Sequence, residues 1–148
     1  MQQGIAHALA ARIEKSRLNV EPPGGGVCVW PATNAMRFAP PNGDAAGNIH
    51  IGSLLALPPD LDVSALGLPP SALVIARALQ DYGVYVIGHG PRPFALLSEG
   101  RMTGGEVDAA LNRLVPLLQV VTNNTPQTPG GGGSPRRPAA PKFPNEAR

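Results

Sequence analysis

The most regular stripe of apolar positions in this chain is Ala72, Ile75, Ala76, Leu79 and Tyr82, the i, i+3, i+4, i+7 spacing of one buried helix face. Pro69-Pro70-Ser71 opens that helix, expected over about 70–82, since proline is tolerated in a first turn and serine caps. Gly83 supplies the left-handed residue that ends it. A second stripe, Val107, Ala110, Leu111 and Leu114, predicts a shorter helix near 104–114. Thr103 and Glu106 stand at capping-box spacing at its start, and Pro116 stops it.

The remaining apolar runs are short and β-branched. Val27–Trp30 reads as a buried strand ended by Pro31. Ile49–Leu57 reads as another, with Ile49, Ile51 and Ser53 on one face and His50, Gly52 and Leu54 on the other. Val84–Ile87 is a third, followed by a turn over Gly88–Pro93 and a hairpin partner, Phe94–Leu97. Leu117–Val121 is the last. Residues 4–13 fit two readings: Ala and Leu favour helix, yet Ile5, Leu9 and Ile13 also suit a strand with His7 between them. Pro22-Pro23 with three glycines, and Pro40-Pro41-Asn42-Gly43, mark loops. The pattern predicts an α+β domain over residues 1–124, mostly antiparallel β of a β-sandwich or jelly-roll-like half, with two short helices.

Composition changes this picture at the C-terminus. Residues 125–148 contain six prolines and the run Gly130–Gly133, too little apolar surface to offset the entropy of ordering. They are expected to form a disordered or extended arm. Charge divides at the same place: eight Lys/Arg against nine Asp/Glu before it, four against one within it, giving −1 and +3. The nearly neutral domain offers no specific nucleic-acid site. Arg136, Arg137 and Lys142 are the arm's candidate contacts to a partner.

Candidate chemistry is sparse. His7, His50 and His89 lack metal-ligand spacing, and Cys28 is the only cysteine, in a run that reads as buried strand. No phosphate-cradling loop or nucleophile elbow occurs, and Asp60 and Asp62 lie in an extended loop where carboxylates are solvated. No catalytic set, metal or cofactor is expected. Arg77 and Asp81 stand four apart on the exposed side of the first helix, a surface pair. Tyr82 falls on the buried stripe and packs, whereas Tyr85 points opposite to Val84 and Val86 and stays available. His50, Tyr85 and Arg77 are the candidate ligand contacts, and Trp30 is expected to anchor the core. No apolar run approaches the ~20 residues of a membrane span, and Gly4–Ile13 does not read as a signal peptide.

Four stretches taken in order carry a family resemblance: Ile5-Ala6-His7-Ala8-Leu9, Val29-Trp30-Pro31-Ala32, Gly52-Ser53-Leu54-Leu55-Ala56-Leu57-Pro58, and Ala76 to Tyr85. Together with Val120 to Pro126 they resemble the C-terminal half of a β-sandwich-like module of secreted actinobacterial proteins and tailed-phage virion proteins. The resemblance implies a virion setting, or alternatively a secreted one, and contact with polysaccharide. It also implies partner chains of a homo- or hetero-oligomeric assembly, because the module's members carry a β-rich half upstream of the His-Ala-Leu motif. Where those members have Asp after the Tyr-Gly strand, this chain has Gly88-His89. The function expected from the resemblance is a noncatalytic structural component of a phage tail or fibre. The alternative is a secreted polysaccharide-binding or polysaccharide-degrading domain.

Overall fold

The stretch that fits both helix and strand is a strand, Leu9–Glu14 (β1), with Ala11 and Ile13 buried and Arg12 and Glu14 exposed in two-residue alternation. What decides it is a partner distant in sequence. β1 runs parallel to the segment Val84–Gly90, from Leu9 opposite Val84 to Glu14 opposite Gly90. The computed structural model describes residues 4–19, 28–34, 47–97 and 105–133. Within them, β2 (Leu54–Ala56), β3 (Val84–Gly90), β4 (Phe94–Leu96) and β5 (Gln119–Val120) join β1 in a five-stranded mixed sheet ordered β4-β1-β3-β2-β5. The protein is thus of α+β class. Three of the four strand pairings are antiparallel, and the β1–β3 pairing is parallel.

Two helices, α1 (Pro70–Asp81) and α2 (Gly105–Leu114), supply the other half of the core. Ile75, Ala76 and Leu79 of α1 and Leu114 of α2 are buried as the apolar stripes predict. They cluster with Ala11, Ile13, Leu55, Val84 and Val86 from one face of the sheet. Pro70 holds the first turn of α1, but its N-cap is Pro69; Ser71 sits inside the helix, where it cannot cap. Gly83 follows α1 at φ +76°, and its N–H bonds back to the Ala78 carbonyl at 3.0 Å. A Cβ there would stand 2.7 Å from Leu54 Cδ1 and from the Leu55 carbonyl oxygen, so the position needs glycine twice over. Thr103 of the expected capping box lies outside the described residues.

Several expectations change. Phe94–Leu96 does not form a hairpin with β3; it pairs with β1. The reason is that both edges of β3 are taken, one by β1 and one by β2. β3 itself continues through Gly88 and His89 to Gly90, where the sequence predicts a turn, because β1 offers it a partner that far. Cys28 makes only an isolated bridge to Ile51, and the chain turns at a cis Trp30–Pro31 peptide. Trp30 is half-buried rather than a core anchor. Ile49–Leu57 is not one strand either. Gly52 at φ +90° breaks it with a turn in which the Ser53 N–H bonds to the His50 carbonyl, and a Cβ on Gly52 would collide with the Val29 carbonyl oxygen.

Candidate functional site

α1 and α2 pack on one face of the sheet. Leu54 and Tyr85 are cross-strand partners whose alternation places them on the face opposite Leu55 and Val84. On that second face a cleft of about 320 Å³ opens where α1 hands over to β3. Gln80, Asp81 and Tyr82 reach it from the end of the helix, and Tyr85 reaches it from the start of β3. The sharp turn at Gly83 brings these residues together: two tyrosines, three positions apart, both half-buried beside one cavity. Leu54 and Ala56 of β2 add apolar surface, and His7 with Ala8 approaches from ahead of β1.

The far wall comes from residues 121–133, most of which composition alone assigns to the arm. Val121 N–H bonds to the Leu54 carbonyl at 2.9 Å, which ties this segment to β2. Beyond it, side-chain amides and hydroxyls take the place of an apolar core. Asn124 Oδ1 accepts from the Gly130 N–H at 2.9 Å and from the Tyr85 hydroxyl at 3.4 Å, while its Nδ2 donates to the Trp30 carbonyl at 3.4 Å. Asn123 Nδ2 donates to the Gly131 carbonyl at 2.6 Å, and Thr128 Oγ1 donates to the Asn123 carbonyl at 2.6 Å. Thr125 and Thr128 exchange backbone bonds of 3.3 and 3.1 Å. Glycines allow this path: Gly130, Gly131 and Gly132 all have positive φ, from 73° to 88°. Pro129, Gly130 and Gly133 then line the cleft.

The polar groups around the cleft are few and varied. Asp81 lines it at the end of α1, where it also takes part in an interaction within the protein. The exposed His7 holds Nδ1 2.9 Å from the Ala8 carbonyl, an acceptor, so Nδ1 donates in that bond. Gln80 Nε2 is committed to the carbonyls of Pro58 and Leu61 at 2.7 and 2.8 Å, which pins the last turn of α1 to the loop after β2. Its Oε1 is buried with no hydrogen-bond partner among the described residues. Two tyrosines with an acid, an imidazole and apolar walls suit a ligand that has both C–H faces and hydroxyls. Among the described residues no group of three or more His, Cys, Asp and Glu could hold a metal ion.

Of the residues singled out from sequence, Tyr85 lines this cleft. His50 lies elsewhere, half-buried in the turn before Ser53, with its Nδ1 buried and unpartnered among the described residues. Arg77 is exposed on α1 and is not among the cleft residues. The structure therefore does not bring the three together. Arg136, Arg137 and Lys142 lie outside the described residues. Sequence reasoning passes over Tyr82, which reads as packing, Asp81, which reads as one of a surface pair, and Asn124, which reads as the end of the domain. The run Asp81-Tyr82-Gly83-Val84-Tyr85 does hold a signal, since a helix-ending glycine folds its flanks onto one another.

No protein family, curated protein or solved structure was found to match this chain. Among the described residues no helix is long and apolar enough to cross a membrane.

Proposed function

We propose that this chain is a noncatalytic structural module of an assembly that touches glycan through the cleft between α1, β3 and residues 121–133. The observation that supports glycan contact is the placing of Tyr82 and Tyr85 beside Asp81 and His7 in one cleft. Aromatic faces bury the C–H face of a sugar ring, and the polar groups at the margin meet its hydroxyls. The setting, the tail or fibre of a tailed-phage particle, rests on the family resemblance of residues 5–126. Partner chains of the same assembly belong to that reading.

The same cleft favours a second reading, a secreted polysaccharide-binding or polysaccharide-degrading domain. A degrading enzyme needs a groove where tyrosine, histidine, arginine and acidic side chains converge; the described lining of this cleft has two tyrosines, one histidine and one acid, and no arginine. Its described lining holds one carboxylate, whereas glycoside hydrolysis ordinarily uses a pair.

Binding of the purified chain to an array of bacterial surface saccharides tests the cleft. Retention of a saccharide that is lost on Tyr85→Leu, with the fold retained by circular dichroism, is the expected result. An array without signal removes glycan from the proposal. Mass spectrometry of purified particles tests the setting: the chain is expected as a stoichiometric component. Its absence there, with turnover of a bound polysaccharide, would replace the structural reading by the enzymatic one.

A further inference from the structure

We infer that residues 122–133 are a lid, a segment that closes one side of the cleft as a single body and swings away from it, with Asn124 as its latch. This rests on the cleft being the site proposed above and adds how that site opens. The segment is folded on itself. Asn123 Nδ2 donates to the Gly131 carbonyl, and Thr128 Oγ1 to the Asn123 carbonyl, each at 2.6 Å. The Thr125 and Thr128 hydroxyls stand 2.8 Å apart, and the Gly131 N–H reaches the Thr128 carbonyl at 2.9 Å. The fold-back is so close that a Cβ on Gly131 would stand 2.8 Å from Asn123 Oδ1.

Its hold on the rest of the domain is of another kind. Val121 N–H is bonded to the Leu54 carbonyl at 2.9 Å, and the chain turns at the exposed Thr122 directly after it, which places the hinge there. Past the hinge, Asn124 meets the Tyr85 hydroxyl and the Trp30 carbonyl, both at 3.4 Å, long for a hydrogen bond. No residue from 121 to 133 is buried, so little apolar surface is uncovered when the segment lifts. Segments poor in buried contacts lie at the low-stability end of a fold and open without the core. Asn124 Oδ1 also accepts from the Gly130 N–H at 2.9 Å, a bond within the segment that survives opening. Pro129, Gly130 and Gly133 line the cleft, so lifting the segment takes away that wall and admits a ligand from the side.

The test is fluorine NMR of the full chain carrying Cys28→Ser and Gln127→Cys, with a trifluoromethyl tag on the thiol at the exposed position 127. The free chain is expected to exchange between closed and open states on the microsecond-to-millisecond scale, the open state on the order of a few per cent. Tyr85→Phe removes one bond of the latch and leaves the Gly130 bond in place, and is expected to raise the open population roughly threefold. Arg77→Ala, exposed on α1, is expected to leave that population unchanged. Hydrogen exchange of the untagged chain is the second readout. The Gly131 amide is expected to keep its protection in Tyr85→Phe, because the segment swings with its own bonds intact. A single state in both the parent and Tyr85→Phe overturns the lid. Loss of Gly131 protection in step with opening also overturns it, since the segment would then unravel. Neither readout uses a ligand, so the saccharide array decides the glycan reading separately.

Discussion

The two faces of the sheet are built by different means. On the helix-covered face, Ala11, Ile13, Leu55, Val84 and Val86 meet the stripes of α1 and α2, and burial of aliphatic surface does the holding. On the other face, the wall of the cleft is held by Asn123, Asn124, Thr125 and Thr128, with glycines that supply the backbone angles. Apolar packing is non-directional and tolerates adjustment. A hydrogen-bonded wall is directional, so its position depends on a few atoms. Stability should therefore reside on the first face and the shape of the cleft on the second.

The largest expected effect breaks the first face. Leu79→Ala removes a fully buried side chain from the core cluster and should cost about 2–5 kcal/mol in denaturant unfolding. A loss below about 1 kcal/mol would mean that α1 does not hold the sheet. The next substitution lies between the two faces. Gly83→Ala combines a positive φ with contacts of 2.7 Å, whereas Gly67→Ala has a positive φ and nothing within 4 Å. Gly67→Ala should cost about 1–2 kcal/mol and Gly83→Ala clearly more, the excess measuring how tightly the helix end packs on β2. Equal costs would show that both Leu54 and the Leu55 carbonyl give way freely.

A smaller effect is expected where the comparison is sharpest. Asn124→Ala deletes the side chain joining Tyr85, Trp30 and Gly130 but removes no apolar core. It should cost about 1–2 kcal/mol in stability, yet lower saccharide affinity by more than Arg77→Ala does, because the Tyr85 hydroxyl loses its anchor. A fall in stability without a change in binding would disconnect the wall from the site. Arg77→Ala itself, exposed and away from both structures, should stay within about 0.5 kcal/mol of the parent protein.

The same division explains what is legible in the sequence. α1 is legible because its periodicity, its proline start and its glycine end are all local and agree with one another. α2 is legible for the same reason over Val107 to Leu114. β1 is not, since Ile5, Leu9 and Ile13 allow both helix and strand, and the deciding partner lies at Val84–Gly90. The false hairpin of Phe94–Leu97 comes from sequence neighbourhood, which carries no information about a strand inserted between neighbours. For residues 125–133, at the start of the arm, composition says only that little apolar surface is on offer. It does not say where the segment lies, because Asn and Thr side chains fix a backbone path without burial. The face on which Tyr85 lies is legible because strand alternation is local. Tyr82 goes to the core in a sequence reading because a helical stripe does not announce where the helix gives out.

The parallel pairing of β1 with β3 also bears on how the chain acquires its shape. Leu9 is made well before its cross-strand neighbour Val84, which appears only after α1 has been completed. Until then β1 has neither β3 on one side nor β4 on the other, and both of its edges are open. Contacts between such distant segments are rewarded only after a long loop has been closed, which slows folding relative to a sheet of local hairpins. During synthesis α1 has its proline start and apolar stripe in hand while the strand at the middle of the sheet is still to come. Of the five strands, the one made first is among the last that can be placed.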